Sequence, residues 1–339
     1  MTNPLSHTDK INYLNIGLIF FSAALAFWIP FKLFLFAYAV LGPLHYLTEI
    51  SWLHKSNYFV KGKKDYLILV ALGILSYVSN FMLPGTPYYI YGLGTTTILM
   101  AFVGAFCFLA FEKTFPKIII TLIAGAIGIT FANINSQLVF EKYFIAVGVF
   151  VPTIIHVCLF TWLFMLYGSI KSKSISGYIS CVVFLVVCVF IVMYQPEIMY
   201  DVSISDKEKY KDIFSILNRT LAHVFGTSDI SMSEPLTGTR FHEIFFSPSG
   251  KMFTRFVAFI YFYHYLNWFS KTSIIKWHEI SIDKIIIIVT LWILSVGLYL
   301  YEYMLGFRVL FTLSMMHVFL EFPLNFRSIQ SIAQKIAGK

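Results

Sequence analysis

Gly177-Tyr178-Ile179-Ser180-Cys181-Val182-Val183-Phe184-Leu185-Val186-Val187-Cys188-Val189-Phe190-Ile191-Val192-Met193-Tyr194-Gln195-Pro196 contains no Asp, Glu, Lys or Arg. About 20 such residues, rising 1.5 Å each as a helix, match the ~30 Å hydrocarbon layer of a bilayer. Comparable runs recur on both sides of this stretch. The expected spans are about 11–31, 33–53, 65–83, 90–111, 116–134, 143–169, 177–196, 253–270, 284–303 and 306–325. The composition agrees: 58% of the 339 residues are hydrophobic and only 12% are charged, roughly half the charged share of a soluble domain. A disordered chain, a disulfide-rich secreted domain and an ordinary soluble enzyme are excluded. The sequence predicts an all-α, polytopic transmembrane helical bundle of about ten spans, with residues 1–339 forming a single integral membrane domain.

Charge placement predicts the orientation. With the N-terminus in the cytoplasm, the inner side holds Lys10, Lys55, Lys61, Lys63, Lys64, Lys113, Lys117, Lys171, Lys173, Lys271, Lys276, Lys284, Arg327, Lys335 and Lys339, fifteen cations in all. The short outer loops hold three, Lys32, Lys142 and Arg308. This excess places both termini in the cytoplasm, as expected of a multi-pass cell-membrane protein of the bacterial inner-membrane kind. The net charge of +8 is thereby a topology signal. No basic stripe interleaved with aromatics is present, so nucleic acid is not an expected partner; the lipid bilayer is. Lys10 and Ala24-Leu25-Ala26 imitate a signal peptide, but the apolar run continues to Phe31 and reads as a retained helix. The one long polar stretch, 197–252, reads as an extracytoplasmic loop with one or two surface helices, the amphipathic run Tyr210 to Phe225 among them. Cys107, Cys158, Cys181 and Cys188 lie inside apolar runs, without metal-finger spacing, and read as buried reduced thiols.

Ionisable groups at membrane depth are costly to bury, so each needs a physical reason. His45, His156, His264 and His317 fall inside the second, sixth, eighth and tenth expected spans. All of these spans run from outside to inside, and each histidine lies about 9–20 Å before the inner end. They could therefore converge in one layer. Two carry a carboxylate four residues on, in His45-Tyr46-Leu47-Thr48-Glu49 and His317-Val318-Phe319-Leu320-Glu321, a spacing that places both groups on one helix face. Such a glutamate can take the imidazole N–H and fix its tautomer, or ligate a metal itself. Neutral imidazole suits iron, copper or zinc. A lone intramembrane histidine can equally be a hydrogen-bonded packing residue, and His156, among Val, Cys and Phe, has the least support; His264 has Asn267 nearby.

Other features carry less. His54 and His278 fall in cytoplasmic loops, His223 and His242 in the outer loop, and His7 near the N-terminus. Gly92-Leu93-Gly94-Thr95 opens a membrane helix and does not follow a strand, which argues against a phosphate cradle. Asn218-Arg219-Thr220 matches the glycosylation pattern, a match frequent by chance. The 36 Phe and 21 Tyr could line a tunnel for a long apolar substrate, although lipid-facing packing and interfacial belts account for most of them.

Gly42-Pro43-Leu44-His45 with Glu49 resembles the Gly-Leu-Pro-His-Gly-x-x-Asp signature of the Brp/Blh family, bacterial and archaeal membrane enzymes that cleave β-carotene centrally to retinal. Thr153-Ile154-Ile155-His156 is similar to that family's second motif and Tyr261-Phe262-Tyr263-His264 to its third. Ser314-Met315-Met316-His317 through Glu321-Phe322 resembles its C-terminal Pro-His-x-x-x-x-Asp-Phe stretch. The order of motifs is the same and spans most of the chain. There are departures. Glu49 stands for Asp and Tyr46 for Gly, Phe160 occupies the position four after His156, and Trp268 replaces the second histidine of the third motif.

The resemblance implies a non-haem Fe(II) oxygenase acting on a carotenoid with dioxygen and releasing retinal or an apocarotenal. On this reading His45, His156, His264 and His317 hold the metal, and Glu49 and Glu321 orient them or complete the shell. A di-iron lipid desaturase or hydroxylase is a second reading, against which the absence of clustered HxxxH and HxxHH boxes counts. Haem-based electron transfer, with Gly42 and Gly306 as small residues beside the ring, and an ion or proton path are a third.

Overall fold

The computed structural model describes residues 6–134, 137–228 and 235–338; part of the expected outer loop, 229–234, and Lys339 lie outside the described residues. In chain order, α1 (His7–Trp28) is followed by α2 (Pro30–Phe36), which passes through a π-helical turn, Ala37–Leu41, into α3 (Gly42–Lys55). Then come α4 (Tyr66–Tyr77), prolonged by a π turn, Val78–Met82, and the pair α5 (Leu93–Ala110) and α6 (Thr114–Asn133). Next, α7 (Gln137–Tyr143) leads through a π segment, Phe144–Phe160, into α8 (Thr161–Ser172), and α9 (Ile175–Met193) follows. The polar stretch holds α10 (Ile204–Lys209), α11 (Ser215–Val224) and α12 (Thr239–Phe246). The chain ends with α13 (Pro248–Ser270), α14 (Thr272–Ile275), α15 (Ile282–Tyr301) and α16 (Tyr303–Ile336). There is no strand among the described residues.

Eight of the described helices are long and apolar enough to cross a membrane: His7–Trp28, Pro30–Lys55, Leu93–Ala110, Thr114–Asn133, Val139–Ser172, Ile175–Met193, Ile282–Tyr301 and Tyr303–Ile336. The two other spans expected, about 65–83 and 253–270, are also helical, and length and polarity separate them from the eight. Tyr66–Met82 is apolar but shorter. α13 has 23 residues but carries Lys251, Arg255, His264 and Asn267.

The chain divides into two compact units. The first comprises residues 1–42, 164–276 and 302–304, and the second 43–163, 277–301 and 305–339. In the first unit α13 is the central element, packed by α1, α2, α9, α11 and α12. Its arginine is answered internally. Arg255 is buried, and its guanidinium donates to Tyr200 Oη (2.6 Å), Gln195 Oε1 (3.2 Å) and Pro196 O (3.2 Å), with the Phe27 ring 5.2 Å away. Burial pushes the Tyr200 phenol above its usual range, an effect tempered by the hydrogen bond from Arg255. The helices of the polar stretch are docked against the unit. Phe34 meets Phe214 edge-on at 4.6 Å and Tyr261 at 5.1 Å, while Phe31 meets Tyr210 at 5.0 Å. These geometries are favoured by the ring quadrupoles. At the other end of α1, Asp9 Oδ1 accepts from Ser174 Oγ (3.0 Å) and Ser176 Oγ (2.6 Å) at the start of α9.

In the second unit α5 packs on α6, on α4 and on the π segment. Gly92 caps α5 with φ +76°, and a Cβ there would lie 2.2 Å from that of Ala132, so this turn needs glycine for both conformation and space. α4 reaches α16 at Gly73, where an added Cβ would touch Met316 Cα at 3.5 Å. Asp65 Oδ2 accepts from Lys117 Nζ at 2.5 Å and from Gly62 N at 2.8 Å, and both charged residues are buried. This pair ties the start of α4 to the start of α6. α15 presents Ile286, Ile287, Ile293 and Leu294 outward, as a lipid-facing helix does. Gly306 lies against the Tyr299 ring, so its small size serves helix packing.

Candidate metal centre

The first ligand helix is prepared by its own sequence. Pro43 sits near the start of α3, inside the continuous helical stretch Pro30–Lys55, so its missing N–H removes one backbone donor from the ladder. The π turn Ala37–Leu41 precedes Pro43 by one residue. π-helical turns recur at functional sites because the wider turn shifts the side chains that follow. On α3, Thr48 Oγ1 bonds back to Leu44 O (2.8 Å) and His45 O (3.0 Å). His45 and Glu49, at spacing i,i+4, bring Nε2 and Oε2 to 2.9 Å, and both are buried at 1% and 2% exposure.

α16 supplies the second histidine. Ligand atoms of His45, Glu49 and His317 all lie within 4.8 Å of one another. The His45 and His317 rings are near-perpendicular, with centroids 5.4 Å apart. His156 arrives from the π segment, which contains Pro152; a proline there removes one backbone donor from the ladder. Its ring centroid is 5.1 Å from that of His317, and its Nδ1 is 2.9 Å from Glu321 Oε2. Three of the four expected histidines, and both glutamates, thus meet within the second unit. His264 belongs to the first unit, where it is buried on α13 beside Tyr265.

Glu49 pairs with His45 of its own helix, and Glu321 pairs with His156 of another element. Tyr46 stacks on the His317 ring at 4.1 Å and 24°. His156, which has no acidic neighbour in sequence, acquires one by folding. Tyr46 is a member of the site that sequence reasoning misses. Its only signal is its place beside His45, where the resembled signature has glycine.

The donor set suits a metal ion. Two imidazoles with one carboxylate form the ligand set of non-haem Fe(II) oxygenases, which leaves positions open for other ligands. Glu49 Oε2 and Glu321 Oε2 are buried and accept no hydrogen bond in regular geometry, although each lies within ion-pair distance of an imidazole. A buried carboxylate oxygen in that condition is strongly unfavourable unless a cation or proton meets it.

The remaining candidates separate clearly. His7, His54, His223, His242 and His278 are exposed. Asn218 is buried, its Nδ2 donating to Thr254 Oγ1 (2.8 Å), Gly250 O (3.2 Å) and Ile244 O (3.3 Å), so the glycosylation match is an internal structural residue. All four cysteines are free thiols; Cys107 and Cys181 are buried, while Cys158 and Cys188 are half-buried.

The helices and the cluster together make this a multi-pass helical membrane protein with a buried histidine–carboxylate centre. Compared with family models, with curated proteins and with solved structures, the chain matches none.

Proposed function

We propose that the chain is a membrane-embedded non-haem iron oxygenase acting on a lipophilic polyene, with carotenoid cleavage to retinal or an apocarotenal as its reaction. The observation that carries the metal part is the meeting of His45, Glu49 and His317 within 4.8 Å inside apolar helices. The carotenoid part rests on the Brp/Blh-like order of the histidine motifs. Fe(II) held there would supply activation of dioxygen towards an electron-rich double bond.

The chain's own residues do the rest. His45, His317 and Glu49 hold the ion. Glu321 orients His156, which completes the set from the side of His317. Tyr46 stacks on His317 and restricts its rotation. Burial of all six residues keeps bulk water out, and binding of a polyene from the bilayer needs no aqueous route. Three clustered donors that include a carboxylate favour a compact ion over a haem, which needs its axial groups on opposite faces of a wide ring. In the membrane, ten spans, both termini in the cytoplasm and the 197–252 stretch outside satisfy the fifteen-to-three cation asymmetry.

One observation favours a second reading. Two imidazole–carboxylate pairs, His45–Glu49 and His156–Glu321, flank His317, an arrangement that could hold two ions as in a di-iron lipid desaturase or hydroxylase.

Metal analysis and an absorption spectrum of detergent-purified protein, beside His45→Ala and His317→Ala, test both. About one iron per chain, lost in both variants and without a Soret band, supports the oxygenase; an apocarotenal released from a carotenoid only in the presence of dioxygen completes the case. About two irons per chain select the second reading. A Soret band, or no metal in a folded protein, overturns both.

A further inference from the structure

α16 carries a third polar residue on the stripe that bears the site. His317, Glu321, Asn325 and Ser328 follow one another at spacings of four, four and three, and all are buried. That spacing keeps them along one side of the helix. Asn325 is 1% exposed, and neither its Nδ2 nor its Oδ1 has a hydrogen-bond partner among the described residues. Its surroundings along the chain are aromatic. Phe102 meets Phe322 edge-on at 5.3 Å and Phe326 at 4.9 Å, bracketing Asn325 from the residues three before and one after it. A primary amide without partners in an apolar interior is among the most unfavourable neutral groups to bury. Leu, close in volume, would pack there without that penalty.

We infer that Asn325 is a polar end-group subsite of the buried centre, binding the hydroxyl of a lipophilic substrate whose apolar body extends towards His317. This inference rests on the proposal that the centre acts on a lipophilic molecule, and it names the chemistry of that molecule's end. The amide offers one acceptor and two donors side by side. A hydroxyl, which donates once and accepts as well, can satisfy both atoms. A hydrocarbon can satisfy neither, and a carboxylate or ammonium would bring an uncompensated charge to the same depth. Asn325 lies about 6 Å along the helix axis from Glu321 and about 12 Å from His317. A hydroxyl anchored there holds a chain in one register against the histidine cluster.

The test uses the full chain in detergent and two radiolabelled probes, 1-hexadecanol and hexadecane, at equal mole fraction in the micelle. Retention after gel filtration is compared with that of protein-free micelles, and iron is measured on the same samples. The wild type should retain the alcohol about tenfold over the hydrocarbon, the worth of a hydrogen bond to a buried polar group. Asn325→Leu and Asn325→Ala should both lose that preference while keeping their iron; two variants of different volume guard against one that does not fold. Equal retention of both probes by the wild type, as when a trapped water satisfies the amide, overturns the subsite. So does an unchanged preference in either folded variant. A preference in a wild type that holds no metal sinks the oxygenase reading and leaves the subsite standing.

Discussion

His317 is the residue around which the site closes, because His45, His156 and Tyr46 all place their rings against it. Its replacement by alanine should therefore remove the metal altogether, whereas Glu321→Gln should weaken metal binding by about 10–100-fold, the usual effect of losing a carboxylate that orients a histidine. Competition with a calibrated chelator reads both. Tyr46 acts through its ring, so Tyr46→Phe should retain wild-type metal affinity and Tyr46→Ala should reduce it. If Tyr46→Phe lost the metal as fully as the alanine variant, the phenol oxygen and not the stack would be the functional group. The His45–Glu49 pair is legible in the sequence because both residues lie on one helix, four apart. The partner of Glu321 is not. An i,i+4 spacing says that two side chains can meet, and what else competes for each of them is decided by other helices.

At the scale of elements, the Asp65–Lys117 pair fastens α4 to α6. Both charges are buried, and the carboxylate takes a further backbone bond from Gly62. Removing one partner strands the other, so Lys117→Met should destabilise the protein by about 3–5 kcal/mol. The double variant Asp65→Asn with Lys117→Met should recover most of that loss. Thermal unfolding in detergent, followed by circular dichroism, would show it; a single variant as stable as the wild type would mean that water reaches the pair. In the sequence the same lysine counts among the loop cations that orient the chain. It does sit at a helix end, but charge counting carries no information about which acid it will meet. The π segments are likewise illegible in sequence. Pro152 announces a break in the backbone ladder, and Gly42-Pro43 marks a boundary, yet neither specifies that the wider turn leads into His45 or contains His156.

At the scale of the whole molecule, the cation asymmetry predicts the sidedness of every loop. In right-side-out cells a cysteine at His223, which is exposed on α11, should react with an impermeant maleimide. One at Ser6, exposed just before α1, should react only after permeabilisation. Labelling at both positions in intact cells would break the proposed orientation. Residues 197–252, expected as a loop with surface helices, contain helices that bury Tyr210, Phe214 and Phe245 within the first unit. Amphipathic periodicity is the visible signal of those helices; the aromatic rings that receive them come from α2 and α13, remote in the chain.

The order of amino acids alone makes this chain helical, suits it to cross a membrane several times, and fixes which apolar runs bear titratable side chains. Those properties are additive along the chain: hydropathy sums over about 20 consecutive residues, and an i,i+4 face is a local fact. Which of these side chains meet is a matter of packing in three dimensions. Packing placed His156 beside Glu321, Tyr46 over His317 and Asn325 among phenylalanines. Contacts between helices distant in sequence depend on how whole elements pack, on where a glycine such as Gly73 lets two backbones approach and on where a π turn rotates the next ligand, and no window of the sequence contains that sum.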